Sequence, residues 1–310
     1  MEQLIWGIVK STRPRQWIKN FALFAGLIFS GQLDNPVALA LILQGFLVFC
    51  GLSSATYLLN DVFDIERDKE HPFKAHRPIA SGKVPAILAV ILAFGLIALL
   101  LPYAFYLSPA LFYTGFGYLV LQLFYSAYLK SVILLDVIMI AAGFVLRVYA
   151  GVWMIDAHLN VWFLLCIISF SLFLAIGKRR SERTLMQGSG RARETLLHYP
   201  ESLLDSLTSM FANSTWLTYA LFAFQQPPIV IKSHKMVKIL DLVTLPFAEA
   251  KYLMITVPVV IYAVMRYLYI IYEKREGESP ERVLLTDRPL LTSVLLWLGM
   301  VLFMIYYLGG

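Results

Sequence analysis

The densest run of chemistry-bearing residues is Asn60-Asp61-Val62-Phe63-Asp64-Ile65-Glu66-Arg67-Asp68, which follows a long apolar stretch. Asp61, Asp64 and Asp68 are spaced by three and four, so a helix through them stacks three carboxylates on one face, with Asn60 at its edge. Three like charges on one face repel unless a cation sits between them. Mg²⁺ bound to a phosphate suits that place, because it takes one or two carboxylates and completes its shell with phosphate oxygens and water. The other reading is a solvated helix end of mixed charge, since Arg67 and Lys69 lie close by. The place of the run at the end of an apolar segment, beside Asn60, favours the metal–phosphate reading.

The chain then turns. Pro72, Pro78 and Gly82 break the helix and bring Lys74 and Arg77 back toward the acidic face. Cations there would neutralise the remaining charge of a metal-bound phosphate and hold a departing pyrophosphate; anchoring the loop at the membrane face is their alternative role. His71 and His76 read as loop residues, not metal ligands. A second cluster reads Lys178-Arg179-Arg180-Ser181-Glu182-Arg183, followed by Arg191, Arg193, Tyr199, Glu201 and Asp205. It contains no D-x-x-x-D pattern. Lys178, Arg179 and Arg180 suit direct binding of an anion through cationic forks, with Glu182 pairing to one of them or reaching a ribose hydroxyl. Arg183, Arg191 and Arg193 read as ordinary loop cations.

Further polar residues lie in or near apolar segments. Gln16, Lys19 and Asn20 share one face of an α-helix, with Lys19 free to snorkel or to meet phosphate. Asp136 is an ionisable residue in an apolar run and therefore a functional candidate. Arg147 lies about 16 Å further along an α-helix, too far to pair with it, and is expected to reach the outer interface. Asp287 reads as a helix cap before Arg288-Pro289. Cys50 and Cys166 read as buried packing.

The elements that must position these groups follow from composition. The chain has 310 residues, 59% hydrophobic and 15% charged, and its mean hydropathy is +0.70. Soluble domains are about 45–50% apolar and about 25% charged. The sequence therefore predicts an all-α, polytopic membrane protein. A soluble nucleic-acid binder is excluded despite the +6 charge, because the cations sit in short loops between apolar runs. Nine spans are expected, at 17–33, 37–59, 84–104, 109–129, 132–154, 160–177, 206–224, 251–271 and 289–308, forming a single integral membrane domain over 1–310. No cleavable signal peptide is read at the N-terminus. With the N-terminus in the cytoplasm, 20 of the 26 Lys and Arg residues fall on the cytoplasmic side. The charged loops then share that face, except 225–250, whose role the sequence leaves open. The expected location is a prokaryotic cell (inner) membrane. A homo-oligomer is compatible with the composition.

The stretch Asn60 to Gly82 resembles the first aspartate-rich motif of the UbiA superfamily of membrane prenyltransferases. Within it, Arg13-Pro14-Arg15-Gln16-Trp17-Ile18-Lys19-Asn20, Tyr125-Ser126, Leu129-Lys130, Leu135-Asp136-Val137, Ala142 to Arg147 and Gly177 to Glu182 are similar to the decaprenyl-phosphate phosphoribosyltransferase branch. The resemblance implies a UbiA-like bundle of nine transmembrane helices with cytoplasmic-face loops. It also implies a phosphate-binding role for Lys130. Members that use a lipid diphosphate carry a second aspartate-rich motif in the sixth–seventh loop; here a basic cluster stands in its place.

These readings converge on a Mg²⁺-dependent transferase of cell-envelope biosynthesis. It would move 5-phosphoribosyl from phosphoribosyl pyrophosphate to a polyprenyl phosphate drawn from the surrounding membrane lipids. Asp61, Asp64 and Asp68 are expected to hold the metal and, with Asn60, to carry catalysis. Lys19, Asn20, Lys74, Arg77, Lys130, Asp136, Lys178, Arg179, Arg180, Glu182 and Tyr199 are expected to bind substrate. The alternative is an aromatic prenyltransferase with a polyprenyl diphosphate donor. A transporter would place its polar residues at the bilayer midplane, whereas here they gather at one membrane face.

Overall fold

The computed structural model describes residues 2–70, 74–186, 199–226, 251–274 and 279–308, and every regular element among them is helical. His71, Pro72, Arg191, Arg193 and all but the first two residues of the loop 225–250 lie outside the described residues. Among the described residues seven helical segments are long and apolar enough to cross a membrane: Pro36–Phe63, Ala86–Leu107, Pro109–Ala127, Leu135–Met154, Val161–Thr184, Tyr252–Lys274 and Arg288–Leu308.

Two expected spans take another form. Residues Pro14–Leu23 wind as a 3-10 helix and are followed only by a short α-helix, Phe24–Phe29. The proline disfavours helical backbone at Arg13, which is left-handed at φ 52°. Gly31, also left-handed, stops the second piece. The span expected at 206–224 lies inside a 25-residue helix, Glu201–Gln225, whose hydroxyl-bearing residues lower its hydropathy. Thr208, Ser214, Thr215 and Thr218 each donate to the carbonyl four residues back, which satisfies those hydroxyls without water.

The chain divides into two compact units, residues 1–130 with 146–158, and residues 131–145 with 159–310. In the first, we name α1 (Glu2–Ser11), α2 (Phe24–Phe29), α3 (Pro36–Phe63), α4 (Ile65–Glu70), α5 (Ala86–Leu107) and α6 (Pro109–Ala127). Asn35 caps α3 by accepting from the amides of Val37 and Ala38, and Pro36 opens it, a pairing that suits a helix start. The core is Leu23, Leu27, Ile42, Phe49, Leu52, Leu111 and Tyr118, closed by Ala150 and Met154 of α7 (Leu135–Met154). Gly151 of α7 lets backbone meet backbone. A Cβ there would fall 2.0 Å from the carbonyl oxygen of Leu23.

The second unit holds the start of α7, then α8 (Val161–Met186), α9 (Glu201–Gln225), α10 (Val257–Tyr269), α11 (Pro280–Thr286) and α12 (Arg288–Leu302). One core joins Val137, Ala175, Ile176, Tyr199 and Leu204; another joins Phe173, Ala212, Val264, Tyr267, Ile270 and Ile271. Asp287 caps α12 through the Leu290 amide, as its place before Arg288-Pro289 leads one to expect.

Candidate functional site

In the first unit α3 delivers Asn60 and Asp61 on its last turn. Asp64 forms the joint to α4, yet its amide still bonds the Asn60 carbonyl at 3.0 Å, and the Asp68 amide bonds the Asp64 carbonyl at 2.8 Å. Helical rise therefore continues across the joint, and Asp61 and Asp68 both end up buried. The return loop closes where the Val84 amide bonds the Pro78 carbonyl at 2.9 Å. That loop lays Arg77 across both carboxylates: its Nη1 is 3.0 Å from Asp61 Oδ1 and 2.7 Å from Asp68 Oδ2. Asp64 leaves this pair and meets Lys130 Nζ at 2.8 Å. The three carboxylates expected on one face thus divide, Asp61 and Asp68 toward Arg77 and Asp64 toward Lys130. The Ser126 hydroxyl donates to Asn60 Oδ1 at 3.0 Å.

Asp61 has a second cation. Arg13 Nη2 pairs with the same Oδ1, while the Arg13 guanidinium lies 5.0 Å from the centre of the Tyr57 ring. Arg13 belongs to the N-terminal run quoted above, but sequence reading gave it no role at this site. Its partner is 48 positions away, and no local spacing signals the contact.

Asn20 is fully buried. A 3-10 helix turns about 120° per residue, so four positions separate Asn20 from Gln16 by a third of a turn. Its amide faces Cys50 and Ser53, and its Oδ1 accepts from Arg147 Nε at 2.8 Å. Arg147 also donates to Tyr118 Oη at 3.0 Å and stacks on that ring. Arg147 is therefore a buried residue of this unit and does not reach an outer interface. Lys19 is half-buried and Lys74 exposed.

In the second unit Asp136 is buried between Arg179, whose Nε donates to Oδ2 at 2.7 Å, and Tyr199, whose hydroxyl donates to Oδ1 at 2.7 Å. Arg179 also meets Glu182 at 2.6 Å, Arg180 meets Asp205 at 2.6 Å, and Lys178 approaches Glu182 only to 3.8 Å. Burial, reinforced by the Asp136 carboxylate, pushes the Tyr199 phenol above its ordinary range and keeps it a proton donor. Asp205, a partner that sequence reading left in the loop, neutralises Arg180.

A model of the UbiA prenyltransferase family matches residues 20–286. The chain belongs to that family. The decaprenyl-phosphate phosphoribosyltransferase of Mycolicibacterium smegmatis is 35% identical over 99% of this chain and 94% of its own length. The enzyme of the same name from Corynebacterium glutamicum is 32% identical over 97% and 87%. Among solved structures, the UbiA homolog from Archaeoglobus fulgidus bound to GPP and Mg²⁺ superposes with a TM-score of 0.67. It covers 96% of this chain and 99% of its own at 20% identity, which is a likeness of fold.

For a UbiA-family member the question is whether these residues fit a divalent cation. Among the described residues no group of three metal-ligating side chains converges. The donors are nonetheless hard oxygens, and Asp61 and Asp68 already converge on one positive group. Mg²⁺ seldom takes an all-protein cage and is held by one or two carboxylates with substrate phosphates. The donor set fits a cation shared with a phosphate.

Proposed function

We propose that this UbiA-family protein transfers 5-phosphoribosyl from phosphoribosyl pyrophosphate to a polyprenyl phosphate of the decaprenyl type, releasing pyrophosphate. It would act as one integral membrane domain over 1–310, with its N-terminus and acidic site toward the cytoplasm. The observation that carries the reading is the site in the first unit, where three aspartates are matched by Arg13, Arg77 and Lys130. No second acidic motif accompanies it in 178–205, where a lipid-diphosphate user of this family would carry one. The names of the near-full-length relatives agree.

Asp61, Asp64 and Asp68 would hold Mg²⁺, which when bound offsets the charge of the departing pyrophosphate. Arg77 and Lys130 stand beside those carboxylates, placed to bind phosphate oxygens and to stabilise charge as the bond to ribose C1 breaks. Asn60, fixed by Ser126, presents its amide group at the same helix end. The lipid phosphate is already anionic at neutral pH, so it needs no strong general base, and positioning carries most of the rate. Lys19, Asn20 and Lys74 in the first unit, and Lys178, Arg179, Arg180, Glu182, Asp136 and Tyr199 in the second, are proposed to bind or position the substrates' phosphate and ribose groups. Of Lys178, Arg179 and Arg180, Lys178 has the most accessible side chain, 38% against 4% and 17%.

The test is a transfer assay on purified protein in nanodiscs, with ribose-labelled phosphoribosyl pyrophosphate, polyprenyl phosphates of several lengths and Mg²⁺. Label should enter the lipid phase, require Mg²⁺ and be lost in Asp64→Ala. Prenylation of an aromatic acid from a polyprenyl diphosphate, with no label transfer, would overturn the reading.

A further inference from the structure

The acidic site is closed by its own cations. Asp61 and Asp68 side chains are 3% and 5% exposed, whereas Arg13 and Arg77, which cover them, are 25% and 27% exposed. A ligand arriving from solvent therefore meets guanidinium before carboxylate. Both arginines contact the same oxygen of Asp61, and one nitrogen of Arg77 serves two carboxylates. These are the places a divalent cation would take.

A bare divalent cation entering here would have to displace two positive groups and remain beside them. Like charges a few ångströms apart repel strongly in such a setting. A cation that arrives with a diphosphate brings anionic oxygens. Guanidinium binds phosphate and carboxylate through the same fork of N–H donors, so each arginine can trade one partner for the other at small net cost. Arg13 suits the exchange: its guanidinium carbon lies over the Tyr57 ring, 5.0 Å from the centroid, while its Nη2 donates to Asp61. That nitrogen can change partner while the guanidinium stays over the ring.

We propose that Arg13 and Arg77 are exchangeable counter-ions. In the substrate-free protein they neutralise Asp61 and Asp68. When a metal–diphosphate enters, they pass to its phosphate oxygens and release the carboxylates to the metal. Metal binding is then conditional on the diphosphate, and Arg13 is a substrate-binding residue. The inference rests on the function proposed above for the acidic site.

The experiment measures Mn²⁺ binding by EPR on wild-type protein in nanodiscs, with and without inorganic pyrophosphate, and without turnover. Wild type should bind Mn²⁺ at least about tenfold more weakly alone than with pyrophosphate, after correction for the free Mn²⁺–pyrophosphate complex. Arg13→Gln and Arg77→Gln should each bind Mn²⁺ alone more tightly than wild type and lose most of the pyrophosphate dependence. Arg13→Lys keeps the charge and should leave Mn²⁺ binding weak, which serves if either glutamine variant fails to melt cooperatively. Equal Mn²⁺ affinity with and without pyrophosphate in wild type, or a folded Arg13→Gln protein with unchanged Mn²⁺ affinity, would overturn the exchange. The metal-only comparison depends on local charge alone, while failure of the functional reading appears separately, as absence of label transfer by wild type.

Discussion

The hydroxyl of Tyr199 accepts the backbone N–H of Leu134 at 2.6 Å, at a residue held in the left-handed conformation with φ 67°. The same hydroxyl donates to Asp136 at 2.7 Å. One phenol thus fixes the chain reversal before α7 and satisfies the buried carboxylate on its first turn. Left-handed backbone costs a leucine roughly 1–2 kcal/mol, and Leu134 is 42% exposed, so little apolar burial offsets it. Tyr199→Phe should lower unfolding stability by about 2 kcal/mol, because a part-buried amide and a buried carboxylate oxygen lose this partner. Leu134→Gly should raise it by about 1 kcal/mol through relief of strain. Chemical unfolding in mixed micelles checks both. Equal stability of all three proteins would remove the clamp.

The buried Asn20–Arg147 pair gives a second expectation. Asn20→Ala strips the guanidinium of its 2.8 Å partner inside an apolar core. A hydrogen bond to a charged group contributes about 1.5–3 kcal/mol, and the variant should lose a similar amount of stability. If Asn20 acts only through this packing, phosphoribosyl pyrophosphate binding by the folded fraction stays unchanged. A rise in KM beyond what unfolding explains would mark direct contact with substrate.

Lys178 and Arg179 are adjacent but should respond differently. Arg179→Ala removes the cation paired with buried Asp136 and, among the described residues, leaves Tyr199 as its side-chain partner; breaking such a pair costs about 3–5 kcal/mol. Loss of folded protein should dominate. Lys178→Ala breaks only a long contact at 3.8 Å, so its melting temperature should hold. Its effect should appear as a higher KM for a phosphate-bearing substrate. An unchanged KM would take Lys178 out of the substrate-binding set.

Asp287 provides the pH dependence. Hydrogen bonds from the Arg266 guanidinium hold its carboxyl well below the usual carboxylate range, aided by Lys274 and the Leu290 amide and opposed by burial. The folded state therefore favours the charged form. This contribution is fully present above the unfolded pKa of about 4 and is lost as pH falls through the lower folded value. Asp287→Asn should melt below wild type at neutral pH, and the gap should narrow only in strongly acidic buffer. A gap that closes while the carboxyl is still ionised in both states would assign the effect to another group.

The helical membrane architecture was legible in the chain because it depends on local quantities. About 20 apolar residues make a span, and the runs over 37–59, 84–104 and 109–129 meet that condition wherever they pack. The cap at Asp287 was legible for the same reason, and so was the spacing of Asp61, Asp64 and Asp68. The segment 17–33 was not, because apolar content does not reveal that Pro14 and Gly31 confine it to a 3-10 helix and one short α-helix. Nor were the partners of the charges. Asp61 with Arg13, Asp64 with Lys130, Asp136 with Arg179 and Asn20 with Arg147 are joined across 43 to 127 positions. A buried charge must find its counter-group wherever folding brings one within about 3 Å. Sequence alone set which residue types could do the chemistry and roughly where the membrane would hold them; tertiary structure decided which cation meets which carboxylate, because that choice depends on distances the local chain does not encode.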